Sequence, residues 1–206
     1  EWNVEGDPRR AIAVDHLLRM ASGLTSDTSG NRTDAVYMGA GEVRQWTTLW
    51  PMLHQPGTSF RYANNDILLA TLAARDAAPD LHPHQMFDAL GMTRTWAETD
   101  WQGNYILSSQ VWTTARDMAR MGLLYLNDGL WDGKRVLPEG WVEASWNGRG
   151  TSRWSGNPYG YGWWLRPDLE LSVAAHNLLD DHGEYRDAIY RTQHEPRAFA
   201  QLRWEF

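Results

Sequence analysis

The sequence contains no cysteine. That excludes disulfides, a thiolate nucleophile and any zinc or iron–sulfur site built on thiolates. Lysine is almost missing too: Lys134 is the single one, and the other basic residues are arginines. A Ser-x-x-Lys pair would need serine at position 131, where Trp131 stands. No serine lies in a Gly-x-Ser-x-Gly elbow (Ser155 sits between Trp154 and Gly156), and neither a His-Glu-x-x-His helix nor a phosphate-cradling glycine loop occurs. Positive charge is short overall, the net being -7, which argues against nucleic acid as a partner because phosphate binding needs basic surface. There is no apolar run long enough for a spanning helix, and the chain starts at Glu1 with neither initiator methionine nor signal peptide. It reads as a fragment or a trimmed mature form, and the compartment stays open.

What is present is the composition of a folded soluble protein, 42% hydrophobic with 22% charged residues over 206 positions. Thirteen tryptophans are spread along the chain, so large aromatic surfaces must be buried or must line a cleft.

Helical spacing of Val14, Leu17, Leu18 and Ala21 predicts a first helix over Val14 to Ala21, closed by Gly23. Thr25 to Glu42 reads as a long polar surface loop. Pro56-Gly57 marks a turn, and a second helix is expected from Asn65 to Ala77 with Leu68, Leu69, Leu72 and Ala73 inward. Met86, Phe87 and Leu90 form a third, short helix ended by Gly91. A fourth follows Thr113 as N-cap, with Met118, Met121, Gly122 and Tyr125 on one face. Asp132-Gly133 predicts a hairpin within Leu130–Leu137, Pro138 opens a short helix through Trp146, and Tyr159 to Leu165 reads as a strand with a glycine face. From Pro167 the pattern alternates with period two, at Leu169, Leu171, Val173 and Ala175 and again from Ala198 to Phe206. Two such strands around a polar loop fit a barrel hairpin or the edge of a soluble sheet.

One segment carries candidate chemistry: Pro56-Gly57-Thr58-Ser59-Phe60-Arg61-Tyr62-Ala63-Asn64 delivers a Tyr-x-Asn to the start of an apolar helix. A tyrosine beside a lysine ammonium has its phenolate favoured, so it can exchange protons near neutral pH. An asparagine two residues on can donate and accept hydrogen bonds and orient its neighbours. Taken bare, the same tripeptide more often means a capped helix. His82 and His84, two apart, read as solvated loop histidines rather than metal ligands, and His16 as a structural or exposed residue.

The wider context gives this segment meaning. Asp15-His16-Leu17-Leu18-Arg19-Met20-Ala21-Ser22-Gly23-Leu24 resembles the "HLL-x-x-x-SGL" helix of class C β-lactamases and related serine hydrolases. Pro56 through Asn64 resembles their second catalytic motif, and Leu90-Gly91-Met92-Thr93-Arg94-Thr95 their "LGM-x-x-T" segment. Thr113 through Gly122, Leu137-Pro138-Glu139-Gly140-Trp141 and Tyr159-Gly160-Tyr161-Gly162-Trp163-Trp164 are similar to the esterase and 6-aminohexanoate-dimer-hydrolase branch. Order and spacing agree over residues 10–165.

The resemblance implies an α+β fold, an antiparallel sheet flanked by helices with a helical subdomain, incomplete here. It implies an acyl-enzyme mechanism on small amide or ester substrates, with no cofactor and no metal. By family position Tyr62 is the proton-shuttling tyrosine and Asn64 its orienting partner, while Tyr37 and Ser109 line the substrate cleft. A periplasmic or secreted setting is expected, without stable membrane insertion, and the oligomeric state stays open. The family's Ser-x-x-Lys would precede Glu1, so the chain alone is expected to be inactive. Its third motif should follow the Gly-Trp-Trp segment, where Asp181-His182-Gly183 is a weak stand-in. Residues 167–206 instead resemble the last strands of TonB-dependent outer-membrane receptors, which predicts a β-hairpin tail joined to a hydrolase portion at 1–166. A non-catalytic binding module, or a piece of such a receptor, is the alternative.

Overall fold

The computed structural model describes residues 2, 4–25, 33–39, 41–147, 150–151 and 158–165. All of these fall in one compact unit, Glu1–Leu165. The tail hairpin expected beyond Pro167, and Asp181-His182-Gly183 within it, lie outside the described residues.

Among the described residues, seven α-helices order this unit: α1 (Val14–Leu18), α2 (Asp34–Tyr37), α3 (Val43–Thr47), α4 (Asn64–Ala77), α5 (Pro83–Ala89), α6 (Ala115–Leu126) and α7 (Trp141–Trp146). Three two-stranded antiparallel sheets lie among them: β1 (Trp96–Ala97) with β2 (Val111–Trp112), β3 (Leu130–Trp131) with β4 (Lys134–Arg135), and β5 (Gly150–Thr151) with β6 (Pro158–Tyr159). Helices with small antiparallel sheets are the α+β mixture expected from the sequence.

Helix α4 is the central beam. Leu68 and Leu72 on one side meet Val36, Val43 and Ile106, while Leu69 and Ala70 on another meet Leu17 and Leu24. A second apolar centre joins Phe87, Leu90 and Met92 to Leu124 of α6. Burying such side chains contributes roughly 1.5–3 kcal/mol each before entropy is counted, so these two centres carry the unit.

Several elements differ from the sequence reading, each for a local reason. Helix α1 stops at Leu18 rather than Ala21, because Met20 turns into the left-handed region at φ 57°. The Thr25–Glu42 loop contains α2. Thr114, one residue later than expected, caps α6 by accepting from the Asp117 amide at 3.3 Å, while Thr113 Oγ1 pairs with Thr95 Oγ1 at 2.7 Å. Helix α7 begins at Trp141 behind Gly140, three residues past Pro138. The Asp132-Gly133 turn is as expected, with both residues at positive φ, 46° and 73°.

Candidate active site

The segment from Met20 to Leu24 and the segment from Phe60 to Asp66 are stitched together, and the stitching places Tyr62. The Met20 carbonyl accepts from the Arg61 amide at 2.8 Å, and the Met20 Sδ accepts from the Ala63 amide at 3.3 Å. Ala63 is extended (φ -146°, ψ 105°) and buried beside Met20 and Tyr159. Side chains alternate along extended backbone, so an inward Ala63 leaves Tyr62 and Asn64 on the outer side. Tyr62 is 44% exposed and Asn64 half-buried at the first position of α4.

No hydrogen bond reaches the Tyr62 hydroxyl or the Asn64 side chain from the described residues. The Tyr62 ring is held by other rings instead. Trp164 stacks on it with centroids 5.4 Å apart and planes at 27°, and Tyr159 meets it edge-on at 6.1 Å and 83°. Phe60 completes the cluster, 5.5 Å from Tyr159 and 6.2 Å from Trp164. Burial raises the Tyr62 phenol above its ordinary range, with a smaller contribution from Tyr37. Among the described residues no cation lowers it.

The segment that supplies Trp164 is not the continuous strand anticipated for Tyr159–Leu165. It is a tight hairpin, with the Gly160 amide donating to Trp163 O at 2.9 Å and the Leu165 amide to Pro158 O at 2.8 Å. The glycine at 160 is needed for close approach: a Cβ there would sit 1.9 Å from the Ser145 carbonyl oxygen of α7. The hairpin hands its aromatics to different partners. Tyr159 and Trp164 go to Tyr62, Trp163 goes to Tyr125 at 4.8 Å, and Tyr161 packs on Trp141 at 5.7 Å. Tyr161 also donates to Asp15, and its ring lies 4.4 Å from the Arg19 guanidinium.

Four residues on from Tyr62, Asp66 is buried at 2% exposure. Its carboxyl accepts from the Ser22 hydroxyl at 2.8 Å and the Ser22 amide at 3.3 Å. Burial pushes Asp66 up to about 7 against the opposing pull of those two bonds. This pair ties the Ser22-Gly23-Leu24 segment to the first turn of α4.

The other candidates are more distant in role. Tyr37 ends α2, and its hydroxyl pairs at 2.7 Å with Ser108 Oγ. Ser109 is exposed on the next position and touches neither Tyr37 nor Tyr62 by a hydrogen bond. His16 Nδ1 accepts from the Ala13 amide at 3.0 Å, a local helix-start contact. His82 and His84 stack on each other at 5.2 Å, and the Tyr105 hydroxyl reaches His82 Nδ1 at 3.2 Å. Among the described residues no group of three or more His, Asp or Glu is placed to hold a metal ion. Likewise no helix there is long and apolar enough to cross a membrane.

The sequence singled out Tyr62 and Asn64 as candidates within Pro56–Asp66, but gave no role to Asp66, Ser22, Tyr159 or Trp164 as their surroundings. The density of aromatics from Tyr159 to Trp164 was the available signal for the ring cluster. Nothing in the linear order connects Ser22 with Asp66.

Comparison with known proteins places this geometry. A family model described as Beta-lactamase matches residues 2–177. The chain therefore belongs to the β-lactamase family. No curated protein matches it. Among solved structures, a Bacillus anthracis protein assigned as a 6-aminohexanoate-dimer hydrolase is similar at 21% identity and TM-score 0.66, over 81% of this chain and 50% of that one. A Bacteroides dorei protein assigned as a β-lactamase is similar at 19% and 0.59, over 84% of this chain and 60% of that one. A penicillin-binding protein from Bacillus halodurans follows at 18% and 0.54, over 76% and 57%. At these identities the likeness establishes the β-lactamase/transpeptidase fold. The chain spans 50% to 60% of the length of these neighbours.

Proposed function

We propose that this chain carries the proton-shuttling part of a Ser-Lys-Tyr acyl-transfer site, in a hydrolase that cleaves small amides or esters such as oligoamides, β-lactams or simple esters. In this reading a serine on a Ser-x-x-Lys helix attacks the carbonyl, and Tyr62 takes its proton and passes it to the leaving group. Water then releases the acyl group. Asn64 orients the lysine and the substrate carbonyl, backbone amides stabilise the oxyanion, and Tyr37 and Ser109 border the cleft. No cofactor, metal or nucleic acid takes part.

The observation that supports this best is the state of Tyr62: a half-exposed phenol, fixed in place by rings, with its hydroxyl free of hydrogen bonds from the described residues. A shuttle needs both the lone pair and the proton of that oxygen available. Among the described residues no cation lowers the Tyr62 phenol to prime it. Lys134, the one lysine, lies exposed on β4, and position 131 is Trp131. The chain on its own therefore does not turn over substrate.

The test is made in a protein that joins a Ser-x-x-Lys segment and a third motif to this chain. There Tyr62→Phe keeps substrate binding and lowers kcat by roughly 10²–10⁴, the usual worth of a positioned acid–base group. A rate within a few-fold of the parent removes Tyr62 from the mechanism. A second reading, a non-catalytic binding module, draws support from the upward shift of the Tyr62 phenol, and the same experiment separates the two. In sequence alone, the alternation over residues 167–206 resembles that of an outer-membrane-receptor hairpin following a hydrolase portion. Two strands cannot close a barrel, so the chain should wash off liposomes in carbonate; resistant partition would contradict this.

A further inference from the structure

We infer that Trp164 is a positioning residue for Tyr62, holding the phenol ring in one orientation while leaving its hydroxyl unengaged; this rests on the reading of Tyr62 as the proton shuttle. A tyrosine can be oriented by a protein hydrogen bond to its hydroxyl or by packing of its ring. Here that bond is missing from the described residues, and orientation falls to the rings: Trp164 across the face at 5.4 Å and Tyr159 against the edge at 6.1 Å. The division suits proton transfer, because a hydroxyl already committed to a protein acceptor would have to break that bond in each cycle.

Trp164 itself is held from several sides, so it can act as a fixed wall. Its hairpin is closed by the Gly160 and Leu165 amides and anchored to α7 through the Tyr161 amide, which donates to Ser145 O at 2.9 Å. Tyr159, its bridge partner across the turn, is 2% exposed, and the two rings meet at 4.9 Å and 78°. Tyr62 precedes extended Ala63 at the head of α4, and no hydrogen bond from the described residues tethers its side chain. The ordered partner is therefore Trp164, and the oriented one Tyr62. The stack also covers one face of the phenol, which fits the upward shift that burial causes there.

The test begins with the full chain carrying 13C-labelled tyrosine. In the parent, Tyr62 should show Hα–Hβ couplings of a single rotamer, nuclear Overhauser contacts to Tyr159, and a titration above the ordinary phenol range. In Trp164→Ala the couplings should average, the contacts to Tyr159 weaken and the midpoint fall toward the ordinary value. Trp164→Phe, which keeps a flat ring, should restore all three, and Trp112→Ala should change none. If Trp164→Ala does not fold, the decision falls to Trp164→Leu, which keeps apolar volume without a ring face and should behave as the alanine variant. A parent-like Tyr62 in either variant overturns the inference. In the completed hydrolase, Trp164→Ala should lower kcat roughly 10–100-fold at nearly unchanged KM, as misplacing a catalytic group by about 1 Å does. If Tyr62→Phe costs roughly 10² or more while Trp164→Ala keeps both rotamer and rate, the clamp is wrong and the shuttle stands. If Tyr62→Phe keeps the rate, the shuttle reading fails whatever the spectra show.

Discussion

Two buried aspartates in this molecule have opposite fates. Asp117, at the start of α6, accepts from the Arg94 amide at 2.9 Å, from Thr95 Oγ1 at 2.9 Å and from the Arg120 guanidinium at 2.5 Å. Burial works to raise its pKa, but those donors and the Arg120 charge outweigh it, and the carboxyl stays below its usual range. Asp66, at the start of α4, has only the amide and hydroxyl of Ser22, and burial wins. Both side chains are almost without solvent exposure, yet Asp66 is the more deeply enclosed and feels the stronger desolvation. Desolvation and the number and charge of the donors together decide which carboxylate stays ionised, and among the described residues no cation pairs with Asp66.

The largest effect should come from stripping the well-paired side. Asp117→Ala leaves the partly buried Arg94 amide and the Arg120 guanidinium without this acceptor and takes one partner from Thr95 Oγ1, and should cost about 2–4 kcal/mol in urea unfolding. A loss below about 1 kcal/mol would mean that α6 is not anchored by this residue.

Next comes the pH dependence, where the two aspartates pull in opposite directions. Asp66 is raised from 3.8 to about 7 in the folded state. Its contribution is fully present below the unfolded value near 4 and is lost as pH rises through about 7, a change on the order of 4 kcal/mol. Asp117, with Asp15 and Asp100, is lowered, so its contribution is present above about pH 4 and lost on acidification. Stability should thus fall on both sides of mildly acidic pH. Asp66→Asn should flatten the limb between about pH 4 and 7 and leave the acid limb alone; an unchanged upper limb would show that Asp66 is ionised throughout.

Ser22→Ala sharpens the same point with a smaller effect. It removes one of Asp66's two donors and the hydroxyl that accepts from the Leu24 amide at 3.2 Å. About 1 kcal/mol of stability should be lost near neutral pH, and the carboxyl 13C titration of Asp66 should move further upward. A downward move would contradict the pairing. The smallest change belongs to exposed Trp112, whose Nε1 donates to Glu98 at 2.7 Å. Trp112→Phe should shift stability by less than about 0.5 kcal/mol, and a larger loss would mean the β1–β2 surface is more than a solvated edge.

What could be read ahead of the structure was whatever depends on neighbours in sequence. Helix α4 shows in the spacing of Leu68, Leu69 and Leu72, and the β3–β4 turn in Asp132-Gly133, because periodicity and turn chemistry are local. Tyr62 and Asn64 were legible as a motif for the same reason. The ends of α1 and α7 were not, since they depend on a left-handed Met20 pinned by Arg61 and on Gly140 taking over from Pro138. Least legible were the long-range ties. Ser22 meets Asp66 across 44 positions and Arg19 meets Tyr161 across 142, and neither partner announces the other. Tyr159 to Trp164 advertised burial through its aromatics, yet the turn that sends each ring to a different partner follows from Gly160 closing on Ser145.

The proposal that Tyr62 is a proton shuttle, in a sequence without a Ser-x-x-Lys pair, makes a direct prediction. The most direct test is intact-mass analysis after incubating the folded chain with an activated fluorophosphonate. No added mass, and no ester turnover above buffer, is the predicted result. A stoichiometric adduct on any serine of the chain would contradict the account, because a nucleophile would then lie among residues assigned here to other roles.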